Sequence, residues 1–327
     1  MLVLDEKTII SNYDMKDAIE AVRTTLKALK AGNIQSPHRT VINIPKIQGS
    51  ELYMPCANLE KSMATIKVVS IFPHNPIEGK ATTQGIMLLT DTTDGTHLAV
   101  MNASYLTRLR TGALSGLATY YLAREDAKTL AVIGTGGMAF EQVLGVLAVR
   151  EITKIYLYNR TIEKAAIFKD KLKKFGITIE IEITENVDAA TIHADIINCA
   201  TRSATPVFNA DYLKEGVHIN GVGSYLPEMR EIAKEAILQA SQIIVDDLDG
   251  VKVEAGEFIE AERKGIWSFN QVKGEIADLI VGEITGRNNK QELTIFKSVG
   301  AAYYDLAVAI GVYEKAIELD IGTKVEL

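Results

Sequence analysis

Hydrophobic positions along the chain follow two rhythms. From Asp14 to Ala31 they recur at helical spacing, with Met15, Ile19, Val22, Leu26 and Leu29 on one face. Asp14 suits the N-cap and Gly32 the stop. From residue 40 to 101 the apolar runs shorten to strand length: Thr40 to Ile44, Glu51 to Met54, Thr65 to Phe72, Gly85 to Leu89 and Leu98 to Met101. Pro45, Pro55, Pro73 and Pro76 punctuate them. Thr92-Thr93-Asp94-Gly95 predicts a hairpin turn between the last two. Strands in hairpin order imply an antiparallel or mixed sheet.

After a helix predicted over 102–123, strands and helices alternate. Thr129 to Ile133, Ile155 to Tyr158, Ile179 to Ile183, Asp195 to Cys199, Val217 to Asn220 and Ile243 to Val245 read as strands. Helices are predicted at 162–175 and 230–240, residues 246–297 read as mixed helix and loop, and 300–319 as a final helix. The expected fold class is α/β. A Rossmann-type doubly wound sheet of five or six mostly parallel strands occupies 114–303, the dinucleotide-binding domain. A smaller α+β domain for substrate binding and dimerisation is formed by 1–113 with 304–327.

The most informative stretch follows the Thr129 to Ile133 run. Gly134-Thr135-Gly136-Gly137-Met138-Ala139 reads as G-x-G-x-x-A, opening a helix with Val143, Leu144, Leu147 and Ala148 at helical spacing. Glycines also mark ordinary turns, but the order strand, glycine turn, helix, strand is what a dinucleotide fingerprint requires. Gly134 permits the tight turn, Gly136 lets backbone approach a pyrophosphate, and the helix start offers free N–H groups. An NAD site usually carries Asp or Glu at the end of the next strand. Here stand Asn159, Arg160 and Thr161, an amide, a guanidinium and a hydroxyl suited to a 2′-phosphate. The expected cofactor is NADP(H), with NAD(H) as second choice. Thr161 also stands where it could cap the next helix.

Composition narrows the partners. The 327 residues are 47% hydrophobic and 24% charged, with 35 basic and 42 acidic side chains giving −7. No long basic run exists, so nucleic acid is not an expected partner. No signal-like N-terminus or membrane-length apolar run appears, which predicts a cytoplasmic protein off the membrane. Cys56 and Cys199 read as buried thiols. His38, His74, His97, His193 and His218 lack metal-ligand spacing, so no metal is expected. Three cations of the first domain stand out. Arg39 follows a proline turn, Lys67 interrupts the apolar run Ile66-Lys67-Val68-Val69, and Arg110 sits among small residues on a helix. A lone cation is more often solvated or ion-paired, but Lys67 is costly among β-branched neighbours unless something anionic meets it.

These residues resemble the ornithine cyclodeaminase and mu-crystallin family over nearly the whole length. The resemblance rests on Ile66-Lys67-Val68-Val69 with Pro73-His74-Asn75-Pro76, on Leu106-Thr107-Arg108-Leu109-Arg110-Thr111-Gly112-Ala113, on the GTGGMA turn, and on Lys297-Ser298-Val299-Gly300 with Asp305. It implies a homodimer built through the first domain and a cleft between the domains for a small imino or amino acid. It implies Lys67 and Arg110 as catalytic residues, and Arg39, Lys67 and Arg110 as substrate-carboxylate ligands. Thr83, Gly134, Gly136, Gly137, Met138, Asn159, Arg160, Thr161, Thr201, Lys297 and Ser298 form the candidate cofactor set.

One position departs from the cyclodeaminase pattern. In Gly223-Ser224-Tyr225-Leu226-Pro227, Tyr225 stands where those enzymes carry an aspartate that acts on the substrate amine. A phenol with an ordinary pKa near 10 cannot serve as that anion. The resemblance therefore implies an NADPH-dependent reductase of cyclic imines such as Δ1-pyrroline-2-carboxylate or Δ1-piperideine-2-carboxylate. Its alternatives are alanine dehydrogenase-type amination of a 2-oxo acid, ornithine cyclodeamination, and non-catalytic NADPH-dependent ligand binding. Tyr53, Met54 and Tyr225 are the expected shapers of the substrate pocket.

Overall fold

In the computed structural model, which describes residues 1–326, the chain forms two compact units. One is Met1–Arg110 together with the segment from Ala302 onward, and the other is Thr111–Ala301.

The first unit is built on a mixed sheet of eight strands. Leu2–Leu4 pairs in parallel with His97–Asn102, and the meander then runs antiparallel through Thr83–Asp91, Met63–Ile71 and Gly49–Asn58. Thr40–Ile44 and Ile34–Gln35 both pair with Gly49–Asn58, and Thr323–Lys324 closes the other edge on Leu2–Leu4. Leu2–Leu4, Ile34–Gln35 and Thr323–Lys324 are only two or three residues long, too short to show a period. Met15–Lys30 packs on the helix Ala302–Glu318 with the face that its apolar spacing predicts. Asp14 caps it, its carboxylate accepting from the N–H groups of Lys16 (2.8 Å) and Asp17 (2.9 Å), and Asp17 returns the bond to complete a capping box. Ala302–Glu318, buried on nearly every side, packs between this helix and the strands. A short helix at Glu6–Asn12 was not visible in the pattern.

The second unit is a fully parallel sheet of eight strands with Thr129–Ile133 near its centre. Lys154–Tyr158 and Glu180–Ile183 lie on one side of that strand. Ile196–Cys199, His218–Gly221, Thr294–Lys297, Gln242–Val245 and Gly274–Glu275 follow on the other. Alternate residues of one strand enter opposite cores: Leu130 and Val132 pack with Ile155, Leu157 and Ile196, whereas Ala131 and Ile133 pack with Ile197, Cys199, Ile219 and Ile295. Burial on both faces is why these strands read as continuous apolar runs.

The expected five or six strands become eight here. Thr294–Lys297 was read as part of a helix-and-loop region but is an interior strand between His218–Gly221 and Gln242–Val245. Its four residues end in a lysine, which hid it. The helix expected over 230–240 shrinks to Lys234–Gln239, because Glu231 is committed to backbone bonds and Ala233 is extended. His218 is wholly buried, bonded to Thr294 (2.9 Å) and Asn220 (3.0 Å), and burial pulls its imidazole down to about 3. Both cysteines are buried and unpaired by disulfide. Among the described residues no helix is long and apolar enough to cross a membrane.

Candidate active site

In the first unit, register brings Met54, Lys67, Met87 and Met101 into one inward-facing row across four strands. Lys67 is the one charge in that row and is only 3% exposed. Its Nζ donates to Asp305 Oδ2 at 2.5 Å, from the helix Ala302–Glu318. Arg110, also buried, donates Nε–H to Asp305 Oδ1 at 3.3 Å. One carboxylate thus serves two buried cations, leaving a local surplus of positive charge. Burial pulls the Lys67 ammonium down to about 8; Arg110 and Arg39 push the same way and Asp305 opposes them. Arg39 itself is half-buried, just ahead of the strand Thr40–Ile44, with its charge felt at Lys67.

The sequence reading placed Lys67, Arg110 and Arg39 together, and the fold brings all three within electrostatic reach. It gave Asp305 no chemical role. An aspartate inside an otherwise apolar helical run, Tyr304-Asp305-Leu306-Ala307, was the available signal. Of the expected pocket residues, Met54 neighbours Lys67 in the row, whereas Tyr53 points to the opposite face by strand alternation. Thr83 opens the strand Thr83–Asp91 opposite Ile71, in the first unit rather than in the unit of the glycine turn.

In the second unit, Gly134 takes φ +88°, a conformation only glycine adopts cheaply. A Cβ there would meet Thr201 Cγ2 at 2.6 Å and Ala200 O at 2.9 Å. At Gly136 and Gly137 a Cβ would meet nothing within 4 Å, so backbone is open to a ligand. The helix Ala139–Leu147 starts directly after Met138, and the Thr135 hydroxyl is buried without a hydrogen-bond partner among the described residues. An open glycine backbone, an orphaned hydroxyl and a helix start fit the pyrophosphate of a dinucleotide.

Asn159 is engaged in holding this turn. Its Oδ1 accepts the Thr135 N–H (3.1 Å) and its Nδ2 donates to Thr161 O (2.9 Å). Arg160 and Thr161 are exposed beside it, and the Thr161 hydroxyl makes no capping bond to the helix Ile162–Lys174.

Lys297 and Ser298, both in the expected cofactor set, have side chains engaged within the protein. Lys297 is wholly buried, and its Nζ donates to Ser224 O (2.6 Å) and Ser224 Oγ (2.5 Å) and pairs with Glu257 (3.1 Å). These oxygens occupy its donors. Ser298 is likewise engaged, its hydroxyl donating to Asp246 Oδ2 at 2.6 Å, which also accepts the Gly300 N–H at 2.7 Å. Tyr225 follows Ser224 directly, with the Arg202 guanidinium 5.8 Å from its ring centre.

Residues 1–320 match the pattern of the ornithine cyclodeaminase/mu-crystallin family. The chain belongs to that family. A Bacillus cereus family member named Delta(1)-pyrroline-2-carboxylate reductase is 39% identical over 327 residues, covering 100% of both chains. A solved family structure, Thermococcus litoralis Delta(1)-pyrroline-2-carboxylate reductase in complex with NADH and L-proline, superposes with a TM-score of 0.94 at 36% identity, covering 99% of this chain and 100% of that one. An archaeal alanine dehydrogenase dimer with bound NAD gives 0.91 at 32% identity, covering 100% and 99%.

Proposed function

We propose that the protein reduces a small cyclic imino acid, Δ1-pyrroline-2-carboxylate or its six-membered homologue, to the saturated amino acid with a nicotinamide cofactor. The observation that carries this reading is the surplus of buried cations around Asp305. That surplus suits an anionic carboxylate. The full-length likeness to pyrroline-carboxylate reductases supports the same substrate class.

Arg110 and Arg39 take the substrate carboxylate and set its orientation. Reduction of C=N requires a hydride at carbon and a proton at nitrogen. The Gly134–Met138 turn would take the pyrophosphate of the dinucleotide, whose nicotinamide would supply the hydride. Lys67 Nζ holds the proton for the imine nitrogen, and a pKa near 8 keeps it protonated yet able to give the proton up. Asp305 fixes the Lys67 and Arg110 side chains toward one another.

Arg160 and Thr161 support acceptance of a 2′-phosphate, hence NADPH over NADH; neither is consumed by a helix cap. The protein is further proposed to act as a homodimer through the outer face of the first unit's sheet. That face carries the apolar cross-strand row Val3, Val100, Leu88, Ile66, with Ile86 more than half exposed beside it.

The test is oxidation of NADPH and of NADH with Δ1-pyrroline-2-carboxylate and no added ammonia. Oxidation is expected, faster with NADPH. Activity that appears only with a 2-oxo acid plus ammonia would overturn the reading in favour of amino-acid dehydrogenation.

A further inference from the structure

At the carboxyl edge of the parallel sheet, one buried side chain ties two loops together. Glu231 is fully buried. One oxygen, Oε1, accepts the Thr201 N–H from the loop after Ile196–Cys199. The other, Oε2, accepts the N–H groups of Gly223 (2.6 Å) and Ser224 (3.0 Å), from the loop after His218–Gly221. The two loops also touch directly, since a Cβ on Gly223 would collide with the Thr201 backbone and with Glu231 Oε1. The first loop abuts the glycine turn in its turn: Ala200 O and Thr201 Cγ2 close the space beside Gly134. An unbroken line of contacts therefore runs from the Glu231 carboxylate through Thr201 to the turn expected to take the pyrophosphate.

We infer that Glu231 is a positioning residue for the dinucleotide site, setting the place of the Thr201 loop and through it the glycine turn. This rests on the cofactor reading above. Glu231 does not touch the cofactor: it is enclosed, and its two oxygens are committed to the N–H groups of Thr201, Gly223 and Ser224. Its second effect is to use up N–H groups. Thr201, Gly223 and Ser224 spend their donors on Glu231, and Val299 and Gly300 spend theirs on Asp246. These five N–H groups, on three of the loops at this edge, are thereby unavailable to an anion, whereas the backbone of the Gly134–Met138 turn is open at Gly136 and Gly137.

Glu231→Gln preserves shape but replaces one acceptor oxygen with an N–H donor, so at least one loop loses its anchor. Gly223→Ala keeps Glu231 but wedges the same loops apart, and serves if the first variant does not fold. Cofactor affinity is read by fluorescence titration with NADH and with NADPH, beside the melting temperature and the KM of the imino acid. Either variant is expected to raise the Kd of both nucleotides roughly ten- to hundredfold, since small misplacements of a site are costly. The imino-acid KM measured at saturating cofactor should stay within about twofold on the same reasoning. A lower melting temperature with both nucleotide Kd values unchanged would overturn the inference and leave Glu231 a purely structural residue. If the unaltered protein binds neither nucleotide, the cofactor reading fails and this inference with it.

Discussion

Two lysines end up buried on strands of this protein, and their surroundings are opposite. Lys297, in the parallel sheet, is wrapped by Ser224 O, Ser224 Oγ and Glu257. Lys67, in the mixed sheet, has one partner, Asp305, which it shares with Arg110. A buried cation with its donors spent is scaffold. One that shares its counter-charge keeps capacity for an incoming anion; for Lys67, burial first and the Arg110 and Arg39 charges after it outweigh Asp305 and bring the ammonium down to about 8. Sequence alone marked Lys67 as a cation inside a strand and left Lys297 in a region of mixed helix and loop, and the difference between their surroundings lies in what other segments bring to them.

The largest expected break in this contrast is Lys67→Met. Methionine continues the Met54, Met87 and Met101 row, and Asp305 keeps Arg110 as partner, so the fold should survive with its melting temperature unchanged or raised. Activity should fall by about 10²–10⁴, the usual worth of a positioned proton donor. A drop in stability with near-normal turnover would reverse the roles of the two lysines.

Lys297→Met should do the opposite. It strands Glu257 in the interior, where an unpaired buried charge costs about 3–5 kcal/mol. Denaturant unfolding should show that loss, with the turnover of the folded protein near that of the unaltered chain.

Asp305→Asn sharpens the account of Lys67. The loss of the anion removes the one influence that raises the Lys67 pKa, leaving burial, Arg110 and Arg39 to lower it. In the proposed reaction the protonated form is the donor, so activity in the unaltered protein should fall as pH rises through about 8. In the variant that falling limb should move to lower pH. A limb that stays in place would assign it to another group.

The smallest effect belongs to exposed Arg160. Arg160→Ala should raise the KM for NADPH by about tenfold and leave that for NADH unchanged. Equal effects on both would remove the 2′-phosphate argument.

Much of this was legible in the chain because it depends on neighbours in sequence. The helix Met15–Lys30 follows from apolar spacing and a local cap, and the glycine turn follows from its own backbone demands. The strand Thr294–Lys297 was not legible, since four residues carry too little periodicity and its terminal lysine is masked by partners 40 and 73 positions away. The same holds for Asn159. Its amide holds the turn through Thr135 and Thr161, bonds that the sequence does not show.

The sequence by itself determined the two rhythms of the chain, the fingerprint turn and the presence of three uncommon cations in the first half. These are properties of short stretches, set by backbone preference and side-chain period. Tertiary structure alone decided which charges meet. Asp305 reaches Lys67 across 238 positions and Arg110 across 195, and Glu231 closes two loops that follow different strands. Electrostatic worth depends on burial and on the distance to a partner, and neither is a property of a residue in its own stretch of chain.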